Sequence, residues 1–219
     1  MFRDRLAAVE ERIHNACARS GRNRSSVTLI AVSKLFGPPQ MREAYECGLR
    51  DFGENYVQEF AGKAPDLADC TEARFHLIGH LQSNKTRVAS DIFQVIQTVD
   101  TPKLARRLND SGQKLQVMVE VKLSDEDSKS GADPGDVPAL VQGIRGCPNL
   151  HLLGLMTIPP WTDQAEASRP YFQRLLALAR DHQVEALSMG MSHDFEVAIE
   201  EGATHIRVGT ALFGQRRKT

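Results

Sequence analysis

Lys34 stands directly after the apolar run Leu29-Ile30-Ala31-Val32 and Ser33. At the end of a buried strand the ammonium form of such a side chain is disfavoured. The neutral amine is then the nucleophile that a Schiff base with an aldehyde or ketone requires. A solvent-facing lysine at a strand edge has the same sequence, so position alone leaves both readings open. Towards the other end of the chain, Ser188-Met189-Gly190-Met191-Ser192 and Arg207-Val208-Gly209-Thr210-Ala211 each lead from apolar residues into small or hydroxylated ones. Gly209 lets the backbone approach an anion closely, and Ser192 and Thr210 bring hydroxyls. Ser192 serves equally well as the N-cap of a following helix. Arg207 lies inside an otherwise apolar run, and a buried guanidinium needs a partner. That partner is either a core carboxylate such as Glu120 or a ligand's ring nitrogen or oxyanion. Three further residues fall at run ends. Asn55 is a ligand hydrogen-bonder or a helix cap, His80 a ligand contact or a structural ring, and Met156 a packing residue against a planar ligand or the core.

The elements that would position these residues alternate along the chain. Residues 3–20 repeat apolar positions Leu6, Val9, Ile13 and Ala16 at helical spacing, with Gly21 as a stop. Strand-like runs follow at 28–33, 50–53, 75–79, 93–98, 115–121, 150–156, 185–189 and 205–208. Helical patterns lie between them at 39–47, 55–63, 83–89, 101–111, 134–145, 162–181 and 193–201, and a short 209–214 segment closes the series. Runs such as Val117-Met118-Val119-Glu120-Val121 are nearly all apolar, as expected for strands covered on both faces. The alternation predicts a parallel sheet, and eight repeats predict a single (β/α)₈ TIM barrel with an extra N-terminal helix over residues 1–20 and a basic tail at 215–219. A doubly wound open sheet is the alternative. It would place a Gly-rich phosphate loop after the first strand, where Lys34-Leu35-Phe36-Gly37-Pro38 stands instead. In a barrel, chemistry gathers at the C-terminal strand ends, and phosphate is often held after strands seven and eight on exposed backbone N–H groups. A lysine after strand one facing such a site suits two chemistries: a phosphosugar aldolase, or pyridoxal 5′-phosphate (PLP) held by aldehyde and phosphate.

Bulk composition narrows the field. The 219 residues are 41% hydrophobic and 25% charged, with 27 basic and 28 acidic side chains for a net charge of −1. Neither a nucleic-acid nor a membrane-surface partner is expected. The four cysteines, Cys17, Cys47, Cys70 and Cys147, are widely spaced, with neither disulfide-framework nor zinc spacing. No metal site is expected, and a reducing cytoplasm is the expected location.

Seven blocks, in order along nearly the whole chain, resemble the pyridoxal phosphate homeostasis proteins. They are Ala31-Val32-Ser33-Lys34, Phe52-Gly53-Glu54-Asn55-Tyr56-Val57-Gln58-Glu59, His76-Leu77-Ile78-Gly79-His80-Leu81-Gln82-Ser83-Asn84-Lys85, Ser128-Lys129-Ser130-Gly131, Gly154-Leu155-Met156, Leu187-Ser188-Met189-Gly190-Met191-Ser192 and Arg207-Val208-Gly209-Thr210-Ala211-Leu212-Phe213-Gly214. The resemblance implies a barrel like the alanine racemase N-terminal domain. It also implies PLP as an internal aldimine on Lys34, phosphate contacts at Ser192, Gly209 and Thr210, Arg207 near the pyridine nitrogen, and Asn55, His80 and Met156 lining the pocket. Phe75 stands where the family often has Trp, and Lys122 where Asn is common; neither belongs to the anchoring set.

The resemblance implies a role in intracellular PLP homeostasis, with PLP-dependent apo-enzymes as recipients and a monomeric carrier. Robust turnover is not expected. An electron-sink enzyme pairs the pyridine nitrogen with a carboxylate, whereas Arg207 is always charged and only donates. Alanine racemases add a C-terminal domain carrying a tyrosine base, and this chain ends at Thr219. A PLP-dependent amino-acid racemase on a minimal barrel remains the alternative.

Overall fold

A computed structural model describes residues 1–124 and 130–214. The Ser128-Lys129 part of one family block and the basic tail at 215–219 lie outside them. The chain opens with helix α1 (Phe2–Arg19) and continues β1 (Thr28–Val32), α2 (Pro38–Glu46), β2 (Asp51–Glu54), α3 (Val57–Lys63), β3 (Arg74–Leu77), α4 (Thr86–Ile92), β4 (Val95–Val99), α5 (Pro102–Asn109), β5 (Leu115–Glu120), α6 (Val137–Arg145), β6 (Leu150–Met156), α7 (Arg169–Asp181), β7 (Ala186–Met191), α8 (Phe195–Glu200), β8 (His205–Val208) and α9 (Thr210–Phe213). Every neighbouring strand pair is parallel, and β1 pairs with both β2 and β8, so the sheet closes into a barrel in chain order. Closure rules out the open doubly wound sheet.

Element starts differ from the periodicity where proline decides them. The patterns beginning at 134 and 162 become α-helical at Val137 and, after a 3₁₀ turn at Ala165–Ser168, at Arg169, with Pro138 and Pro170 in the first turn. There the missing N–H costs nothing and the fixed φ suits helix entry. The pattern beginning at 83 opens with a 3₁₀ turn, Ser83–Lys85, before α4. Helix α1 buries Phe2, Val9, Ile13, Ala16 and Cys17 and packs along α8 and α9. Phe2 meets Phe213 at 5.3 Å between ring centroids, and Phe213 stacks on Phe36 at 4.9 Å. Arg5 Nη1 donates to the carbonyl of Phe213 (2.8 Å).

The strands are covered on both faces, but their two faces differ. Outward residues such as Leu29, Phe52, Leu77, Val117, Leu187 and Ile206 join the helices in the main apolar core. Inside the barrel lies a polar chain. Arg207 Nη1 donates to Ser188 Oγ (2.7 Å), Ser188 Oγ donates to Gln97 Oε1 (2.6 Å), and Gln97 Nε2 donates to His76 Nδ1 (3.0 Å). His76 Nε2 ends the chain on Asp51 Oδ1 (2.8 Å), which also meets Arg74. β4 and β7 are not neighbours in the sheet, so the Gln97–Ser188 bond crosses the barrel interior. No helix among the described residues is long and apolar enough to cross a membrane.

Candidate functional site

A cavity of about 700 Å³ opens at the C-terminal ends of the strands. Its wall includes Lys34, Asn55, Ser192, Arg207, Gly209 and Thr210, six of the eight residues singled out from the sequence. They come from strand ends far apart in the chain, and closure of the sheet by β1–β8 pairing makes them neighbours.

Lys34 occupies the turn directly after β1 and is half-buried. Across the wall, the backbone N–H groups of Gly209 and Ala211 both donate to Ser192 Oγ, at 3.3 and 3.5 Å. Two amides and a hydroxyl gathered in this way form a group of donors that could serve an oxygen-rich anion. Because α9 is a single turn, the attraction rests on these individual N–H groups more than on an aligned helix dipole. A side chain at Gly209 would press on Val32 of the adjoining strand at 3.3 Å, so glycine keeps this wall close to β1. Asn55 does not cap α3, whose N-cap is Tyr56. Its Oδ1 is buried without a hydrogen-bond donor, an acceptor that a ligand hydroxyl would satisfy.

Arg207 is 3% exposed, and burial pulls its guanidinium down to about 10. Its partners are Ser188 Oγ and the carbonyl of Thr157 (2.9 Å), so the expected alternative of an ion pair with Glu120 is not the arrangement found. Glu120 acts on Arg207 only through its charge. Its own carboxyl is pushed up to about 7, chiefly by burial and then by Asp100, while Arg207 pulls the other way.

Two expected pocket residues are not on the cavity wall. His80 is 54% exposed, with its Nδ1 3.9 Å from Asp100 Oδ2. Met156 is fully buried beside Glu120 and Ser188 in the sheet register. The wall also holds residues the sequence reading passed over: Val32, Phe36, Ile78, Ile158, Trp161, Met191 and His193. Trp161 was visible as the only tryptophan, set in the proline-rich stretch Ile158-Pro159-Pro160. It is 72% exposed and lies 5.0 Å from the His193 ring. Among the described residues no group of three His, Cys, Asp or Glu is placed to hold a metal. The residues present fit a ligand with a carbonyl at one end, an anion at the other and a hydroxyl between.

The sequence profile of the family described as "Alanine racemase, N-terminal domain" matches residues 5–217. A protein named pyridoxal phosphate homeostasis protein from Pseudomonas aeruginosa is 46% identical over 219 residues, covering 97% of this chain and 95% of its own. One of the same name from Aquifex aeolicus is 42% identical over 224 residues, covering 98% of each. The solved structure of PipY from Synechococcus elongatus with PLP bound superposes with a TM-score of 0.86 at 38% identity, over 98% of this chain and all of that one.

Proposed function

This chain belongs to the pyridoxal phosphate homeostasis protein family, built on the alanine racemase N-terminal domain, and from that premise we propose that it binds PLP at the barrel mouth and holds it for intracellular PLP homeostasis. Lys34 is the covalent anchor. Ser192, Gly209 and Thr210 hold the phosphate, Asn55 meets a ring substituent, and Arg207 is the donor towards the ring nitrogen. Bound there, the cofactor supplies an aldehyde carbon to which a lysine amine attaches with loss of water. The observation that carries this reading is one cavity wall holding Lys34 together with Ser192, Gly209 and Thr210, where the Gly209 and Ala211 amides converge on the Ser192 hydroxyl.

The site holds its ligand without robust turnover. Arg207 cannot accept the pyridinium proton, so the ring nitrogen has no carboxylate partner there. None of the three tyrosines lines the cavity to serve as a base. Tyr56 is 55% exposed, and Tyr45 and Tyr171 pack against the apolar core. The protein is proposed to act as a monomer in the cytoplasm and to pass PLP to PLP-dependent apo-enzymes.

Borohydride reduction of the PLP-loaded protein followed by peptide mapping tests the reading. The label is expected on Lys34, with a visible absorption band before reduction, and Lys34→Ala protein should be colourless. A colourless wild-type protein, or a label confined to other lysines, overturns it. Chiral analysis after incubation with single L-amino acids should show no D-isomer above the free-cofactor background.

A further inference from the structure

The block Phe52–Glu59 contributes only Asn55 to the cavity wall, yet its two acidic residues sit behind the turn that carries Lys34. Both neighbours of Lys34 are tied to them. Ser33 is fully buried, and its hydroxyl donates to Glu54 Oε1 at 2.7 Å. Lys63, at the end of α3, donates to the Ser33 carbonyl (3.3 Å) and to both Glu54 oxygens (3.1 and 3.2 Å). On the other side, the backbone N–H of Leu35 donates to Glu59 Oε1 at 2.6 Å, and the same carboxylate pairs with Lys63 at 2.5 Å. Lys63 thus joins two carboxylates that each grip one flank of Lys34.

Leu35 explains why such a grip is needed. Its φ is +66°, in the left-handed region that a leucine rarely enters, and its side chain is 59% exposed. Apolar burial does not hold it there. A strained non-glycine residue persists only where its surroundings over-determine it. Here the outside restraint is the charge-assisted bond to Glu59, together with the Phe36 N–H closing back on the Ser33 carbonyl at 3.0 Å.

We propose that Glu54, Lys63 and Glu59 are positioning residues that hold the Lys34 turn in its left-handed conformation and so keep the Lys34 amine presented to the cavity before any ligand arrives. The proposal rests on the reading of Lys34 as the covalent anchor. None of the three lines the cavity.

Glu59→Ala is the informative variant, because Glu59 is partly exposed and its loss leaves the buried Glu54–Lys63 pair intact. Lys63→Met would strand Glu54 in the interior and is the harsher companion. Two measurements apply: hydrogen exchange at the Leu35 amide in ligand-free protein, and the rate at which PLP with borohydride labels Lys34. In Glu59→Ala both should change by about tenfold, exchange faster and labelling slower, while β5 amides exchange as in wild type. Glu59→Gln keeps an acceptor oxygen for the Leu35 N–H and should stay within about threefold of wild type. Labelling of Lys34 at the wild-type rate in Glu59→Ala overturns the proposal, whatever the exchange shows. So does equal damage in Glu59→Gln and Glu59→Ala, which would mark a structural effect. If wild-type Lys34 takes no label, the anchor reading fails instead, and exchange at Leu35 still reports whether Glu59 holds the turn.

Discussion

Arg207 shows what a single residue discloses from sequence and what it withholds. A guanidinium inside an apolar run has to find a partner, and that much was legible. The identity of the partner was not, because it depends on closure of the sheet. Ser188 comes from β7, Gln97 from β4 and His76 from β3, and no local pattern joins those positions. Burial keeps the His76 imidazole neutral, against the pull of Asp51. With Nε2–H donating to the carboxylate, Nδ1 is left to accept from Gln97. Every donor in the chain then points from Arg207 towards Asp51, and Gln97 accepts the bond that crosses the barrel and passes the chain on to His76 of the neighbouring strand. Gln97→Leu keeps the volume and removes both bonds. It should cost on the order of 3 kcal/mol, since the Ser188 O–H, although its oxygen still accepts from Arg207, and His76 Nδ1 would each be left buried without their partner. Urea denaturation measures this directly. A loss below about 1 kcal/mol would mean that the chain does not act as a connected unit.

At the scale of elements, the β–α rhythm made the barrel legible, since apolar runs and helical spacing are local properties. Boundaries were less so where a strand ends in an unusual backbone. The seventh strand pattern stops at 189, but β7 runs on through Gly190 to Met191. Gly190 has φ +90°, and a side chain there would meet Ala198 Cβ at 2.5 Å and Phe195 Cα at 2.9 Å. The strand therefore turns over the first turn of α8 at a point where only glycine fits, and this delivers Met191 and Ser192 to the cavity wall. Asp194 fastens the turn: its carboxylate accepts from the Met191 N–H (2.7 Å) and from the Ser168 hydroxyl (2.8 Å). Gly190→Ala combines backbone strain with overpacking, and about 3 kcal/mol of destabilisation is expected. Adding Ala198→Gly should recover only part of it, because the φ strain and the Phe195 contact remain. Thermal unfolding of the single and double variants separates the contributions. Full recovery would show that the side-chain clash alone mattered.

For the molecule as a whole, the polar barrel interior makes stability depend on pH in two opposing ways. Glu120 is 6% exposed, and burial with the nearby Asp100 raises its carboxyl from 4.5 to about 7. Between those values the native state holds a proton that the unfolded chain has released, so this group lowers stability as pH rises from about 4.5 to 7. His205 behaves in the opposite sense. Burial holds it down to about 4 from 6.5. Below pH 6.5 the unfolded chain takes up a proton that the native state refuses, so this group lowers stability as pH falls from 6.5 towards 4. The two slopes overlap and oppose each other, which flattens the wild-type curve. Glu120→Gln removes one of them. The variant should match wild type near pH 4 and exceed it by on the order of 3 kcal/mol above pH 7, because the buried charge is gone and the amide resembles the protonated acid. Its own stability should then climb between pH 4 and 6.5, where the His205 slope is unmasked. Denaturation curves for both proteins across pH 4 to 8 decide the matter. If the two run parallel, Glu120 titrates in the native protein as it does in the unfolded chain, and its neighbours compensate a buried carboxylate more fully than the geometry around Arg207 indicates.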